Sequence, residues 1–177
     1  MAASAVTNAG VFAAIRGALF VFALVLGTWP IGQALAAEKR VALVVGNSNY
    51  EFGPLKNPVN DAALIADTLR ELGFEVILEI DASQNRMKRA IQGFGERLEK
   101  TSKDGVGLFY YAGHGIQSRG VNYLIPVGAQ ISRDADLELE AVSANWIFGE
   151  MEFARDRLNI VILDACRNNP LAPGAVE

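Results

Sequence analysis

The sequence predicts an α/β fold in which a mostly parallel sheet is covered by helices on both faces. Two observations carry this prediction. Four short apolar runs of the kind that forms strands buried on both faces recur along the chain. Between them lie segments whose apolar residues recur at helical spacing, and strands that alternate with helices at these lengths form right-handed βαβ units. The predicted strand order is 2-1-3-4.

The first predicted strand covers residues 41–45 and is followed by a loop rich in Asn, Gly and Pro. Asn60 or Asp61 is the predicted start of a helix that Gly73 ends. Its apolar residues recur on one face, which we expect to be buried. They are Ala62, Ile65, Ala66, Leu69 and Leu72.

The second predicted strand, residues 74–80, precedes a helix that Ser83 caps. The apolar face of this helix holds Met87, Ile91, Phe94 and Leu98. The third strand is predicted at residues 106–112, with a small hairpin around residues 123–126 after it.

An acidic loop is predicted at residues 134–140, ahead of a helix that Ser143 caps and that runs to Arg155. The inward residues of this helix are Ile147, Met151 and Ala154, and Trp146 and Phe148 are also expected in the core. The fourth strand is predicted at residues 160–163.

The composition indicates a globular domain and excludes several kinds of site. The chain has 177 residues, of which 51% are apolar and 20% charged, and this is not the composition of a disordered chain. A net charge of -4 gives no reason to expect a nucleic-acid partner. One cysteine excludes an intramolecular disulfide and a zinc site built from several cysteines. No P-loop or G-x-G-x-x-G fingerprint follows the first strand.

The first 36 residues have the parts of a secretory signal peptide. They contain no acidic residue and one basic one, Arg16, which precedes an apolar run at residues 17–26. Ala34 and Ala36 form an Ala-x-Ala cleavage pattern. We therefore expect an exported protein, periplasmic or secreted, whose domain covers residues 37–177. The alternative is an uncleaved N-terminal anchor, so contact with a membrane is expected only through this segment.

The single histidine and the single cysteine follow neighbouring predicted strands. In an open parallel sheet the loops at the carboxyl ends of the strands form the functional edge, and these loops carry Asp61, His114 and Cys166. An imidazole beside a cysteine stabilises the reactive thiolate. The alternative is that Cys166 is a small buried apolar residue and His114 an ordinary loop residue. Spacing alone leaves both interpretations open.

Two motifs resemble those of a known family. YYAGHG at residues 110–115 and DACRNNP at residues 164–170 resemble the His and Cys motifs of the caspase-like cysteine peptidases, in particular their bacterial metacaspase-like (orthocaspase) branch. The separation of 52 positions from His114 to Cys166 agrees with the spacing in the caspase signature. LKNPVNDA at residues 55–62 resembles the segment that opens the first helix of metacaspases.

The resemblance covers residues 39–170 and implies both a fold and a reaction. The fold is a three-layer caspase-like sandwich with the strand order given above. The reaction is endopeptidase cleavage by a dyad in which Cys166 is the nucleophile and His114 moves the proton. The backbone amides of Gly115 and Cys166 would hold the oxyanion.

One departure from the caspase pattern concerns specificity. Caspases have Gln-Ala-Cys-Arg-Gly, whereas Asp164 stands here in the Gln position and Asn168 in the Gly position. A carboxylate two residues before the nucleophile attracts a guanidinium or ammonium group, so we expect cleavage after Arg or Lys. The metacaspase resemblance implies Asp61 as a second carboxylate of this pocket. The alternatives are a helix cap for Asp61 and a surface residue for Asp164.

The acidic run at residues 134–140 has two interpretations. It is a calcium-responsive loop, since some metacaspases need calcium, or an ordinary solvated loop. We favour the solvated loop, because the run lacks the glycine and the terminal glutamate of an EF-hand. The sequence therefore requires no cofactor or metal and gives calcium activation no support.

A second function remains open. Seven residues follow Pro170, whereas the caspase-like fold normally adds two more strands after the fourth. Three alternatives are open: the sequence is a fragment, a second chain completes the fold by pairing with the fourth strand as an exposed edge, or the cleft is incomplete and the activity low. Such a protein would be a catalytically weak or inactive module that binds peptides. For the peptidase, the expected partners are protein or peptide substrates with basic residues.

Overall fold

The computed structural model describes residues 39–101, 105–153 and 158–166 of the chain. The predicted signal peptide, Ala154, Arg155 and Asn168 lie outside these ranges. The strands are β1 (Arg40–Gly46), β2 (Phe74–Ile80), β3 (Val106–Ser118), β4 (Val121–Leu124), β5 (Val142–Ser143) and β6 (Leu158–Cys166). The helices are α1 (Pro58–Glu71), α2 (Gln84–Glu99), α3 (Leu137–Glu140) and α4 (Ala144–Phe153), with a 3-10 turn at Asp134–Asp136.

Four parallel strands form the centre of the sheet in the order β2-β1-β3-β6. β1 pairs with β2 and β3 from Arg40 to Gly46, without a break in register. Because β6 is the fourth parallel strand along the chain, this order confirms the predicted 2-1-3-4 arrangement.

The third strand is longer than predicted, because it changes partners instead of ending. Up to His114 it pairs in parallel with β6, and from Gly115 to Ser118 it pairs antiparallel with β4. β4 pairs in turn with β5. The hairpin predicted after the third strand is therefore present, but it begins within β3.

Helices cover both faces of the sheet. On one face, the apolar stripe of α1 packs on alternate residues of β1 and β3. On the other face, the stripes of α2 and α4 pack on the intervening residues. Since side chains alternate across a strand, the same two strands serve both cores. This arrangement confirms the three-layer sandwich and the buried face predicted for α2.

The first helix begins at Pro58, two residues before the predicted start. Proline suits the first turn, where its missing N–H would have no helical partner. Ala62, Ala66 and Leu69 are buried as predicted, but Leu72 lies beyond the helix end and is 56% exposed. Two further core predictions are wrong in part, since Trp146 and Phe148 of α4 are 38% and 45% exposed.

The predicted acidic loop is a 3-10 turn followed by the single turn of α3. Its carboxylates have local partners. Asp136 accepts hydrogen bonds from the backbone amides of Ser132 and Arg133, and these bonds lower its pKa. Asp134 pairs with Arg119 at 3.0 Å. The segment is ordered by these contacts, which composition alone does not indicate.

No helix within the three described ranges is long and apolar enough to cross a bilayer.

Candidate active site

His114 lies at the point where β3 changes partners, and Cys166 is paired with it across the parallel ladder. Adjacent strands lie about 4.8 Å apart, so the two backbones are neighbours. The sequence predicts His114 in a loop after the third strand, but the residue is inside β3. For Cys166 the structure describes the backbone, through its pairing with His114. The two residues predicted to form the dyad are thus brought to the same point of the sheet.

Two buried tyrosines hold the backbone of His114. Its N–H donates to the hydroxyl of Tyr50 at 3.0 Å, and its carbonyl accepts from the hydroxyl of Tyr111 at 2.7 Å. The same carbonyl accepts from the backbone N–H of Ile125 at 3.0 Å. The N–H and the carbonyl of His114 are therefore both held, by two tyrosine hydroxyls and one backbone amide.

Gly113 leaves room for this pair of hydroxyls. A Cβ atom at residue 113 would lie 2.6 Å from the Tyr50 hydroxyl and 2.7 Å from the Tyr111 hydroxyl. The two hydroxyl oxygens are 3.3 Å apart and share a hydrogen bond. A side chain at this position would push apart the groups that hold His114.

The imidazole is oriented by a backbone carbonyl. Nε2 of His114 lies 2.6 Å from the carbonyl oxygen of Gly53. A carbonyl oxygen only accepts hydrogen bonds, so Nε2 carries the proton and Nδ1 of the neutral ring has the lone pair. The ring of Tyr50 packs beside the imidazole, with centroids 4.4 Å apart and planes tilted by 48°. Nδ1 is therefore the nitrogen that can take up a proton.

The two tyrosines that hold His114 stay protonated over the ordinary pH range. Burial raises the pKa of Tyr50, and burial raises that of Tyr111 well above its usual range. Each hydroxyl thus keeps the proton that it donates in the network. The groups around the candidate base are neutral dipoles that orient the ring.

Asp164 and Asp61 both act on the hydroxyl of Tyr110. That hydroxyl donates to Oδ2 of Asp164 at 3.4 Å. The pKa of Tyr110 is raised to about 12, chiefly by burial, then by the charge of Asp164 and next by that of Asp61. Asp164 thus contacts Tyr110 on the face of the sheet that α1 covers, and the charge of Asp61 acts on the same hydroxyl.

Neither carboxylate is neutralised by a basic side chain within the described part of the chain. Asp164 is exposed and Asp61 is half-buried. Two unpaired carboxylates at the end of a parallel sheet form an anionic site that solvent and ligands can reach. Elsewhere in these ranges no three acidic, His or Cys side chains are grouped closely enough to hold a metal ion.

The amide of Gly115 is not used by the antiparallel ladder. Gly115 pairs with Leu124, and the adjacent bond runs from the N–H of Ile125 to the carbonyl of His114. This pattern makes Gly115 and Leu124 a non-hydrogen-bonded pair, in which neither amide donates to the other strand. The N–H of Gly115, immediately after His114, therefore points away from β4, towards β6 and Cys166.

Sequence reasoning misses four residues of the site, namely Tyr50, Gly53, Tyr110 and Tyr111. Tyr50 and Gly53 lie in the loop after β1, and nothing in its composition points towards a histidine 61 residues or more away. The one local signal is Gly53, whose φ of +73° favours glycine. Tyr110 and Tyr111 belong to the apolar run of the third strand, where a tyrosine has no distinguishing pattern.

Comparison with known proteins gives the family. The family model of the caspase domain matches residues 39–177. The human mucosa-associated lymphoid tissue lymphoma translocation protein 1 is 36% identical over 137 residues, and its mouse homolog is 36% identical over 138 residues. These matches cover 76% and 77% of this chain but 16% of each relative, so the chain corresponds to a small part of those proteins.

A solved structure supports the fold. Protein GSU0716 from Geobacter sulfurreducens matches with a TM-score of 0.57 at 18% identity, over 72% of this chain and 50% of that chain. The match agrees with the layered α/β architecture described above. Together with the family model, these findings confirm the caspase-like resemblance seen in the His and Cys motifs. The chain belongs to the caspase-domain family of cysteine peptidases.

Proposed function

We propose that the protein is a cysteine endopeptidase that cleaves peptide bonds after Arg or Lys, with Cys166 as nucleophile and His114 as acid and base. The observation that carries the proposal is the pairing of His114 with Cys166, together with the bond that fixes Nε2 of His114 on Gly53. The N–H at Nε2 donates to the carbonyl of Gly53, so Nδ1 is the atom that exchanges a proton with the thiol.

The reaction runs in two halves. The thiol proton of Cys166 moves to Nδ1 of His114, and the thiolate attacks the scissile carbonyl carbon to form a tetrahedral oxyanion. When the C–N bond breaks, His114 gives its proton to the leaving amine and a thioester remains. Water then attacks the thioester while Nδ1 takes a proton from it, and the acid product leaves as the thiol is restored.

The backbone provides the oxyanion donors in this mechanism. The Gly115 amide, which points away from β4 towards β6, follows the candidate base directly. The amide of Cys166 is the second donor, as in the family resemblance. Backbone donors held by a sheet need no reorganisation as charge develops, so they lower the barrier efficiently.

The specificity for Arg or Lys is supported by the two carboxylates at Tyr110. Asp164 is two residues before the nucleophile, and Asp61 contributes to the same negative field. A basic side chain preceding the scissile bond would pair with Asp164, and Arg would do so through two parallel hydrogen bonds. An Asp side chain would be repelled from the same position.

The test is hydrolysis of fluorogenic peptides that differ in the residue before the reporter group, with Arg, Lys or Asp. Wild type should cleave the Arg and Lys peptides, and Cys166→Ala should cleave none of them. Asp67→Asn, a change at an exposed residue of α1 away from the site, is the matched control and should keep full activity. Activity in Cys166→Ala, or a preference for Asp, would overturn the proposal.

A second candidate function rests on β6. Within the described ranges β6 pairs with β3 on one side and with no strand on the other. Leu158 and Ile162 on this strand are 60% and 43% exposed. An exposed apolar edge strand can accept a strand from another chain, which is the property of a non-catalytic peptide-binding module. On that alternative, the protein would bind peptides without cleaving them.

Thiol reactivity separates the two candidates. Size-exclusion chromatography gives the oligomeric state, and the rate at which a thiol reagent labels the single cysteine gives its activation. A species whose Cys166 reacts no faster than free cysteine, and that cleaves none of the peptides, favours the binding module. Fast labelling in a protein that cleaves after Arg favours the peptidase.

A further inference from the structure

The loop between β1 and α1 carries both groups that orient the ring of His114. Tyr50 packs beside the imidazole and accepts the His114 N–H, and Gly53 accepts from Nε2. Gly53 is exposed, and so are the residues on either side of it. An exposed loop orients a side chain only if its own backbone is held in place. The anchor of this loop therefore determines the orientation of His114.

Asp81, the first residue after β2, is that anchor. Its Oδ1 accepts hydrogen bonds from the backbone amides of Ser48 at 2.7 Å and Asn49 at 2.9 Å. Hydrogen bonds to a carboxylate are about twice as strong as those between neutral groups. The backbone N–H of Asp81 donates to the carbonyl of Gly46 at 2.9 Å, so the loop is held at its first residues.

The backbone of Asp81 is in an uncommon conformation that permits these bonds. Its φ is +47°, in the left-handed region that only a few non-glycine residues occupy, with Asp and Asn among those that tolerate it best. The neighbouring contact is reciprocal, because the N–H of Ala82 donates to Oδ1 of Asn47 at 2.9 Å. The turn after β2 and the loop after β1 are thus bound to each other at two points.

The loop transmits this anchoring to the site over a short distance. The carbonyl of Ser48 accepts from the backbone amides of Tyr50 and Leu55, at 3.0 Å each. Those bonds close the loop on either side of Gly53. The path from the carboxylate to the imidazole therefore runs through Ser48 and Asn49 to Tyr50 and Gly53, with a hydrogen bond at each end.

We infer that Asp81 is a positioning residue for His114, which it orients through the loop that carries Tyr50 and Gly53. The inference rests on the proposed function for its effect on catalysis, but its effect on the ring is independent of that function. Without the carboxylate, the amides of Ser48 and Asn49 lose their acceptor and the Gly53 carbonyl is no longer held against Nε2. The proton of the neutral ring then divides between Nε2 and Nδ1.

The experiment uses the fact that the chain contains one histidine. In an untagged full chain labelled with 15N-histidine, the two ring nitrogen shifts report directly which nitrogen carries the proton. The variant is Asp81→Gly, which removes the carboxylate and accepts the positive φ without strain. The matched control is Arg119→Gly, because Arg119 has a φ of +49° and lies in the β3–β4 hairpin. Asp81→Asn, which retains an acceptor and tolerates this backbone, is the conservative variant.

We expect the wild-type chain and Arg119→Gly to have the proton on Nε2, and Asp81→Gly to show a mixture of the two ring forms. Asp81→Asn should restore most of the wild-type pattern. With the Arg peptide, Asp81→Gly should lose roughly 100-fold in kcat with little change in KM, the size of effect that a small misplacement of a catalytic group produces. Circular dichroism of each variant checks that the fold is retained.

Two outcomes overturn the inference. One is an Asp81→Gly chain that keeps the wild-type ring nitrogen shifts. The other is an Arg119→Gly chain that shows the same mixture as Asp81→Gly, which would make the effect a general result of loosening a turn. If wild type cleaves no peptide, the proposed function fails, while the ring spectra still decide whether Asp81 orients His114.

Discussion

The Nε2 atom of His114 lies 2.6 Å from the carbonyl oxygen of Gly53, a residue 61 positions earlier in the chain. In serine peptidases a carboxylate performs the corresponding task of fixing the ring. Here the task falls to a peptide group, which carries no net charge and cannot be removed by exchanging a side chain. The orientation of the candidate base is therefore a property of the loop conformation, and changes at residues that shape the loop or its neighbours should affect the site.

Gly113→Ala tests the close packing behind His114. The added methyl group would lie 2.6–2.7 Å from two tyrosine hydroxyls, so we expect the free energy of unfolding to fall by about 1–3 kcal/mol. Urea denaturation measures this change. Gly149→Ala is the control, because residue 149 is inside α4 and a Cβ there meets nothing within 4 Å. That change should raise stability by about 0.5–1 kcal/mol. Equal effects of the two changes would contradict the packing argument.

His114→Ala tests the activation of the thiol. The chain has one cysteine, so the rate of alkylation by iodoacetamide at pH 7 reports on Cys166 alone. Without the imidazole the thiolate fraction should fall, and the rate should drop by roughly tenfold. The control is Asp67→Asn, which should label at the wild-type rate. A His114→Ala chain that labels as fast as wild type would show that the imidazole does not activate the thiol.

Asp164→Asn tests the source of the basic specificity. The change keeps the shape of the side chain and removes its charge. A charged hydrogen bond is worth about 1.5–3 kcal/mol, which corresponds to a loss of roughly 10- to 150-fold in kcat/KM for the Arg peptide. Asp61→Asn should cause a smaller loss, because the charge of Asp61 acts less strongly on Tyr110 than that of Asp164. An unchanged ratio of Arg to neutral peptide in Asp164→Asn would exclude this carboxylate from specificity.

The four tyrosines of the chain give a prediction about pH. All of them have raised pKa values, and those of Tyr110 and Tyr123 are raised to about 12, chiefly by burial for Tyr110 and by a hydrogen bond to Glu138 for Tyr123. In the folded state the protonated forms are favoured, so the free energy of unfolding is fully retained below about pH 10 and falls as the pH rises towards 12.

Absorbance at 295 nm, which follows tyrosinate, measures this behaviour. We expect little change near pH 10 and a rise at higher pH that coincides with unfolding by circular dichroism. The protein in strong denaturant is the control and should titrate near pH 10. A tyrosine that titrates near pH 10 in the folded protein would contradict the burial and hydrogen bonding described above.

Much of the sheet and two of its helices are predictable from local patterns. The runs at residues 41–45 and 106–112 are apolar because they are buried on both faces, and that burial is visible in the sequence. The stripe of α2 has the same property. Position along the chain also indicates that Asp164 and Cys166 belong to one strand end. These features depend on burial and periodicity, which are visible in short stretches of the sequence.

The remainder depends on contacts between distant residues. The GHG sequence resembles a loop, yet β3 continues through it, because Ile125 and the tyrosine hydroxyls hold the backbone of His114 extended. The acidic segment at residues 134–140 folds because Asp136 accepts backbone bonds from its neighbours. Tyr50 and Gly53 join the site through bonds that span more than 60 residues. No local pattern encodes such pairings.

The change of partners within β3 has a consequence for when the site comes into existence. His114 is aligned only when the loop after β1, the hairpin and β6 are all in place on β3. The hairpin is local, whereas the contacts of the loop and of β6 each close a long stretch of chain. Contacts of this kind form late and together during folding. A chain that is still folding, or one that has lost part of its sheet, therefore has no oriented imidazole. The candidate base is thus correctly aligned only in the completely folded domain.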